Sequence, residues 1–574
     1  MDAWLRPARF AALLGVAAAA LSAWWGVHHL PNPDEGAVLT NAVKILHGGV
    51  FYRDIDAYPY PAANYAVALA MAVFGETVGV GRALAGAVFC ATVLALYFAA
   101  LPLLGRSRAA LLGTSLLGFK LLGFPVFTTY SYWDLSFCFG CLALPLVLAQ
   151  GPRERLRLFL AGLCLAISFA AKQSVGIYVA AALLAQLALP HVFLRTARVP
   201  WREALRRVGA VVAGIAAALV PLFGYFAARG LLPAMLHSGF VRPFTGYLPL
   251  SGIPAGYMLA WWDFGATRAD NVGGIYLPLV PWHLLMAGAM PFEPLYGVYW
   301  AAVELFARLL YTSLPIVFVW PFWLWLRSWR QAGAVPAART RLFLLAQLAF
   351  GFVLSAFPRA DWAHVISIYP VVWLLVFASW TPGRRAARLE AAAVAALLLG
   401  CAGLTVAAHA RATYHLQLER ADLWIEPETA WLEPVVRAIQ REVPPGGPFF
   451  VYGHEAHLYF LADRYGAWPF AQLYPGQTGP GRGRAVVKRL RKEPPRLIFR
   501  GMLGWPGTPW LPGYAPALHR YLRAHYEEDA AFFERHPPPA GSPPEHFVAG
   551  VLLPRRAPGS LPEPPGPPPI RRNR

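Results

Sequence analysis

The chain has 574 residues, of which 57% are hydrophobic and only 14% are charged, and its mean hydropathy is +0.44. This composition excludes an ordinary soluble enzyme of this length and is typical of an integral membrane protein. The formal net charge of +20 would favour nucleic-acid binding only if the basic residues shared a soluble face. The five cysteines all lie in apolar stretches, which excludes a disulfide framework.

Membrane-spanning stretches dominate the N-terminal part of the chain. About eleven apolar stretches approach the roughly 20 residues that cross a bilayer as a helix. They lie near residues 10–30, 80–104, 109–127, 134–150, 158–172, 174–194, 208–229, 302–326, 342–357, 364–380 and 389–409. Arg6 and Arg9 precede the first stretch and no small-residue cleavage site follows it, so we expect a retained signal anchor.

The distribution of arginine between these stretches predicts their orientation. Arginine is concentrated in the short segments near residues 6–9, 106–108, 153–157, 195–207, 327–341 and 384–388. By the positive-inside rule these segments are cytoplasmic. The alternating segments, among them 31–79, 230–301 and everything after about 410, are then extracytoplasmic in a multi-pass protein of the plasma (inner) membrane. Because much of the positive charge sets topology, no nucleic-acid partner is expected.

The composition changes near residue 410 and again near residue 536. Residues 1–409 are predicted to form an all-α polytopic membrane domain of about 11 transmembrane helices. Residues 410–535 combine strand-like stretches at 448–452 and 496–500 with helical patterns around 428–442 and 515–530, which predicts a small extracytoplasmic C-terminal α/β domain. Residues 536–574 are rich in proline and glycine and are expected to be a disordered tail.

The first outer loop, residues 31–79, carries a dense series of polar and aromatic residues. It opens with Pro31-Asn32-Pro33-Asp34-Glu35-Gly36, in which the prolines end the first helix. Asp34 or Asn32 is expected to cap a second helix, and Glu35 complements the helix dipole. Tyr52-Arg53-Asp54, Tyr58-Pro59-Tyr60-Pro61 and Phe74-Gly75 follow, and Arg82 opens the second span.

This order of residues resembles the first loop of the GT-C glycosyltransferases. It is most similar to the branch that contains the dolichyl-phosphate-mannose protein mannosyltransferases and the bacterial lipid A aminoarabinose transferase. The motifs cover about residues 20–180, and architecture carries the resemblance beyond them. The resemblance implies a GT-C-like fold and an inverting transferase that uses a polyprenyl-phosphate sugar in the cell envelope. One departure is that residues 56–61 contain no lysine, where several relatives have one before the proline.

The resemblance also implies roles for three acidic residues. Asp34 and Glu35 fall at the family's active site, with Asp34 as general base and Glu35 either positioning the acceptor or holding the helix. Such a base takes the acceptor's proton as the new bond forms. Asp134 corresponds to a second acidic residue, which could bind a divalent metal together with Asp34. No cofactor is required for certain, and a need for Mg²⁺ or Mn²⁺ stays open.

The leaving phosphate needs cations near the outer membrane surface. Lys172 matches a lysine that the family places at the outer end of the fifth span, and its alternative role is to snorkel to the interface. Arg359 could instead pair with Asp361, and His364 could be an interfacial residue only. The candidates for binding the donor phosphate are Lys172, Arg53, Arg242, Arg359 and His364.

These observations predict a membrane glycosyltransferase that moves a sugar from a polyprenyl phosphate to an extracytoplasmic lipid, glycan or protein. Its expected partners are the lipid-linked sugar, that acceptor and the bilayer. A lipid-linked glycan transporter or flippase is the alternative, because the same charges could pass a headgroup across the membrane. A non-catalytic lipid-binding subunit is a third candidate.

Overall fold

A computed structural model describes most of the chain. The described residues are 6–124, 126–149, 151–189, 199–247, 277–330, 337–356, 361–380, 382–465, 468–473, 481, 483–501, 511–535 and 550–555. They form a helical membrane domain and a C-terminal domain that contains two sheets.

The membrane domain is built from long apolar helices at the predicted stretches. In chain order, these and the shorter helices are α1 Pro7–Gly26, α2 Pro33–Leu46, α3 Ala62–Phe74, α4 Val78–Leu122, α5 Tyr132–Leu148, α6 Glu154–Ala171, α7 Gln173–Ala188, α8 Trp201–Ala228, α9 Leu232–Leu236, α10 Leu279–Met286, α11 Tyr296–Arg330, α12 Ala337–Leu354, α13 Trp362–Ser379 and α14 Arg384–Arg411. Two π-helical segments, His237–Val241 and Pro243–Tyr247, follow α9. Among the described residues, 5 helices are long and apolar enough to cross a membrane by length and composition.

The predicted second and third spans are joined in α4, a helix of 45 residues. Gly105 interrupts it with φ 72° and ψ 175°, a conformation that side chains with a Cβ rarely adopt. The break lies between the stretches 80–104 and 109–127, so the helix changes direction where the two spans were expected to meet. The arginines at this point, Arg106 and Arg108, therefore lie at one end of the bundle.

The C-terminal domain has two small sheets and six helices among its described residues. Its strands are β1 Tyr414–Leu418, β2 Ala421–Ile425, β3 Phe449–Tyr452, β4 Leu497–Arg500, β5 Tyr526–Glu528 and β6 Gly550–Pro554. Its helices are α15 Leu432–Glu442, α16 His457–Ala462, α17 Arg484–Lys492, α18 Leu511–Tyr514, α19 Pro516–His525 and α20 Phe532–Arg535. The strands β1 and β2 form a hairpin, and the larger sheet has the order β3-β4-β6-β5 with β3 and β4 parallel. These two parallel strands occupy the predicted strand-like stretches.

Strand β6 lies within residues 536–574, which were expected to be a disordered tail. It pairs antiparallel with both β4 and β5, where its backbone groups complete the ladder between them. Val551 packs into the core because strand pairing and burial together outweigh the local preference of a proline-rich stretch. The α/β domain therefore draws one strand from beyond its predicted boundary at residue 535.

Helix α2 is the surface on which the C-terminal domain rests. A Cβ atom on Gly36 would lie 2.3 Å from the backbone nitrogen of His457, so only glycine permits this approach of α2 to α16. The Thr40 hydroxyl donates to the Ala456 carbonyl at 3.3 Å. A second contact joins the start of α4 to the β1–β2 turn, where the Val78 N–H donates to the Arg420 carbonyl at 2.9 Å. We call this end of the helix bundle the domain end.

A buried ion pair joins three helices at the domain end. The Arg82 guanidinium of α4 contacts both oxygens of Glu35 on α2, at 3.1 and 3.2 Å, and the two side chains are 2% and 0% exposed. The same guanidinium donates to the carbonyls of Gly26, His28 and His29 at 3.2, 2.7 and 2.9 Å. Arg82 thus donates hydrogen bonds to backbone carbonyls at the end of α1 and just after it, where helix geometry leaves carbonyls without a backbone donor.

We expect substitution of Glu35 by glutamine to destabilise the protein strongly. The Arg82 charge would stay buried without its counter-charge, which typically costs about 3–5 kcal/mol. The unfolding temperature of the detergent-purified protein measures the loss. A double variant, Glu35→Leu with Arg82→Leu, should lose less than the sum of the two single variants, and additive losses would contradict the coupling.

Candidate active site

Asp34 lies where α2 meets the C-terminal domain. Asn32, not Asp34, caps α2, since its side-chain oxygen accepts the Glu35 N–H at 2.8 Å. The Asn32 amide also donates to the Thr129 hydroxyl at 3.0 Å, which ties the cap to the loop before α5. One oxygen of the Asp34 carboxylate accepts a hydrogen bond of 3.2 Å from the side chain of Gln472. The carboxylate is therefore placed by both domains.

Glu35 has a different environment from its neighbour. Its carboxylate is fully buried and bound by the Arg82 guanidinium through two hydrogen bonds. A carboxylate held in this way is poorly placed to contact an acceptor. Of the two roles expected for Glu35, the geometry therefore favours holding the helix.

Asp134 closes a capping box at the start of α5. One of its oxygens accepts from the Ser131 N–H at 2.8 Å and from the Ser131 hydroxyl at 2.7 Å. The other accepts from the Phe127 N–H at 3.3 Å, and the Lys120 ammonium contacts the Phe127 carbonyl. Asp134 is therefore held by the cap and by the Phe127 N–H, and its part in a metal site with Asp34 stays a prediction. Within the described ranges, no group of three or more His, Cys, Asp or Glu side chains is arranged to hold a metal ion.

Lys172 and His364 meet on the ring of Trp133. The Lys172 ammonium lies 2.8 Å from the centroid of the indole ring, a close cation–π contact. The His364 ring meets the same indole edge-on, with centroids 5.2 Å apart. Asp361 caps α13 and binds the His364 Nδ1 atom at 2.5 Å. We call Trp133, Lys172, Asp361 and His364 the Trp133 cluster.

Arg242 lies against the first outer loop. Its guanidinium binds one oxygen of Asp56 through two contacts of 2.7 and 2.5 Å and lies over the rings of Tyr58 and Phe470 at 5.0 and 5.3 Å. Burial raises the pKa of Asp56, and the adjacent guanidinium opposes that rise. The Gln173 amide donates to the Tyr58 carbonyl at 3.1 Å. The Arg242–Asp56 pair is therefore close to Gln173, the residue that follows Lys172.

Arg53 lies apart from this arrangement. Arg53 lies in an exposed turn, with 58% of its side chain exposed, and pairs with Asp54 at 2.9 Å. Asp54 also accepts the Val50 N–H at 2.8 Å, so the pair serves the turn, and the role of Arg53 as a phosphate ligand stays a prediction. Arg359 lies outside the described residues, and its predicted role stays a prediction.

Sequence reasoning did not identify residues 468–473, a segment of the C-terminal domain that links the predicted site residues. We call it the bridging segment. The Trp468 carbonyl accepts a hydrogen bond from the Lys44 ammonium, and the Pro469 carbonyl accepts one from the Asp56 N–H, each at 3.1 Å. The Arg242 guanidinium lies over the Phe470 ring at 5.3 Å, and the Gln472 amide donates to Asp34 at 3.2 Å. Burial lowers the pKa of Lys44 to about 8. No local pattern marks these residues, because Gln472 and Asp34 are 438 positions apart.

Two buried histidines follow β3, one before α16 and one at its start. His454 and His457 are 2% and 4% exposed, and burial lowers the pKa of each to about 4. His457 packs directly on Gly36, two residues after Asp34. Both rings are therefore neutral at pH 7, and no histidine charge is buried near the start of α2.

Comparison with known proteins gives structural similarities only. No protein-family model and no curated protein sequence matches the chain. The structure is similar to the oligosaccharyltransferase of Archaeoglobus fulgidus in complex with Zn and sulfate, with 12% identity, a TM-score of 0.48, and coverage of 85% of this chain and 67% of that chain. The same enzyme tethered to an acceptor peptide with the NVT sequon gives 10% identity, a TM-score of 0.47, and coverage of 92% and 73%.

A bacterial structure shows a similar level of likeness. It is ArnT from Cupriavidus metallidurans bound to undecaprenyl phosphate, with 14% identity, a TM-score of 0.44, and coverage of 90% of this chain and 95% of that chain.

The neutral His457 predicts a loss of stability in acid. Its pKa is about 4 in the folded protein and 6.5 in an unfolded chain, so the unfolded state binds more protons between these values. Stability is therefore complete above about pH 6.5 and falls as the pH drops, by about 2 kcal/mol at pH 5 for this residue. We expect His457→Gln to show a smaller fall in unfolding temperature from pH 7 to pH 5 than the wild type.

The exposed His525 provides the control. His525→Gln controls for the substitution itself and should keep the wild-type unfolding temperature at pH 7. An unchanged pH dependence in His457→Gln would contradict the assignment of a neutral buried ring.

Proposed function

We propose that the protein is an integral membrane glycosyltransferase that moves a sugar from a polyprenyl-phosphate donor to an extracytoplasmic acceptor, with Asp34 as general base. The observation that carries the proposal is the environment of the Lys172 side chain. Its ammonium contacts the face of Trp133, and among the described residues no carboxylate forms an ion pair with it. A charged group at membrane depth without such a partner is costly, which is the usual mark of a functional site. A phosphate would supply the missing counter-charge.

The Trp133 cluster is the proposed site of the donor phosphate. Lys172 and His364 present two nitrogen-bearing side chains around one indole ring, at the end of the bundle that bears the C-terminal domain. A phosphate bound there would have its growing negative charge stabilised as the bond to the sugar breaks. Arg242 lies at the edge of this region, where Asp56 already neutralises part of its charge.

In the proposed reaction an acceptor hydroxyl or amine attacks the anomeric carbon of the sugar. The bond between that carbon and the phosphate oxygen breaks with its electron pair, and polyprenyl phosphate leaves. Asp34 takes the proton of the nucleophile, which makes the transfer a single displacement with inversion. Glu35 is bound to Arg82 and takes no part in the proton transfer. The same ion pair fixes the start of α2, where Asp34 lies.

The orientation and cellular location are part of the same proposal. The Arg-rich short segments favour placing the domain end on the extracytoplasmic side of the plasma membrane. The donor and acceptor would then meet between the first outer loop and the C-terminal domain. The identities of the sugar and the acceptor are to be found by mass spectrometry of lipids, glycans and glycoproteins in a deletion strain.

We expect Asp34→Asn to lower sugar transfer by about two to four powers of ten, because the amide cannot accept the proton. The assay follows release of polyprenyl phosphate from a polyprenyl-phosphate-linked radiolabelled pentose or hexose, with membranes of a deletion strain as the acceptor. Asp422→Asn is the matched control, since this side chain is 78% exposed on the hairpin. Turnover at the wild-type level in Asp34→Asn would refute the assignment of the base.

The same labelled donor, used in proteoliposomes, distinguishes the transferase from the competing transporter. Movement of the labelled lipid across proteoliposomes without cleavage of the sugar–phosphate bond would support a transporter and refute the transferase. If neither transfer nor movement occurs, a lipid-binding subunit is the remaining class.

Substitution of Lys172 tests the donor site separately from the base. We expect Lys172→Met to lower kcat/KM for the donor by about ten- to a hundredfold, because a charged contact to the phosphate is lost. Lys172→Arg should keep part of the activity because it keeps the charge. Lys488→Met, an exposed lysine on α17, is the control. An unchanged kcat/KM in Lys172→Met would remove Lys172 from the donor site.

A further inference from the structure

We infer that Gln472 is a positioning residue for Asp34, so that the C-terminal domain supplies part of the catalytic site. This inference rests on the proposed function of Asp34 as the base. Its starting observation is the hydrogen bond of 3.2 Å from the Gln472 side-chain amide to one oxygen of the Asp34 carboxylate. Gln472 is 6% exposed, so it is a buried polar residue with a defined partner.

The bridging segment holds the Gln472 backbone in place from two directions. On the membrane side, the Trp468 and Pro469 carbonyls accept from Lys44 and from the Asp56 N–H, each at 3.1 Å. Within the C-terminal domain, the hydroxyl of Tyr514 donates to the Leu473 carbonyl at 2.5 Å. The residues on both sides of Gln472 are therefore anchored, and its side chain approaches Asp34 along a fixed direction.

The anchoring groups belong to the same elements that carry Asp34. Lys44 stands on α2, ten residues after Asp34, and Asp56 belongs to the loop that follows this helix. The close contact of Gly36 with His457 sets the distance between the two domains at this point. These contacts all join α2 and the loop after it to the C-terminal domain, and together they hold the Gln472 amide beside the Asp34 carboxylate.

The hydrogen bond has a specific chemical use. The carboxylate of an aspartate can rotate about its Cβ–Cγ bond, so either oxygen can face the acceptor. An amide donor bound to one oxygen restricts that rotation and aligns the other oxygen for proton transfer. Orientation of this kind acts on the transition state and should appear in kcat rather than in the binding of the donor.

The test compares two isosteric variants, Gln472→Met and Gln472→Glu, in the transfer assay with polyprenyl-phosphate-linked radiolabelled sugar. We expect Gln472→Met to lower kcat about tenfold, with the donor KM within twofold of the wild type, because one hydrogen bond to a charged group is lost. Gln472→Glu keeps the shape but loses the donor and adds a second negative charge, so its loss should be at least as large. Gln417→Met, on the exposed face of β1, should behave as the wild type.

The outcomes separate the inference from the proposed function. A wild-type kcat in Gln472→Met or Gln472→Glu, with active wild-type protein, overturns the inference and leaves the function intact. A wild-type enzyme that releases no polyprenyl phosphate overturns both. Unfolding temperatures show whether either variant is folded, and if Gln472→Met fails to fold, a folded Gln472→Glu decides the question. A rise in donor KM with unchanged kcat would assign Gln472 to binding and also overturns the inference.

Discussion

The buried pair between Arg82 and Glu35 is the interaction on which the rest of the site depends. One guanidinium satisfies a buried carboxylate of α2 and three backbone carbonyls at the end of α1. Burying either charge alone would be costly, so α1, α2 and α4 can only come together as a set at the domain end. The position of Asp34, one residue before Glu35, follows from this constraint.

The C-terminal domain supplies further contacts to the candidate site formed by the helices. It rests on α2 because Gly36 allows backbone contact with His457, and its bridging segment reaches the first outer loop. Asp34, Arg242 and Lys44 each contact a residue of that segment. The proposed reaction therefore takes place at a junction between two domains, which is a common position for small-molecule sites.

Neighbouring acidic residues acquire different uses through their surroundings. Asp34, Glu35 and Asp134 are all carboxylates in loop or helix-start sequences, and the resemblance groups them at one active site. Packing separates them, since Glu35 binds Arg82 and Asp134 accepts two hydrogen bonds from Ser131 and one from the Phe127 N–H. Similarly, Arg53 lies in an exposed turn with Asp54, whereas Lys172 and His364 converge on Trp133. Sequence spacing cannot distinguish these cases, because helix caps and catalytic loops use the same residue types.

The sequence by itself determined the apolar helices, the break near Gly105 and two strands of the C-terminal domain. These features follow from local composition and hydrophobic periodicity, which act over a few residues. The candidacy of Asp34 and Lys172 came instead from the resemblance of the sequence to the GT-C glycosyltransferases. Only the tertiary structure decided that β6 joins the sheet, that Glu35 and Asp134 have structural partners, and that Gln472 reaches Asp34. Each of these depends on contacts between residues far apart in the chain, and such contacts exist only once helices and sheets have packed.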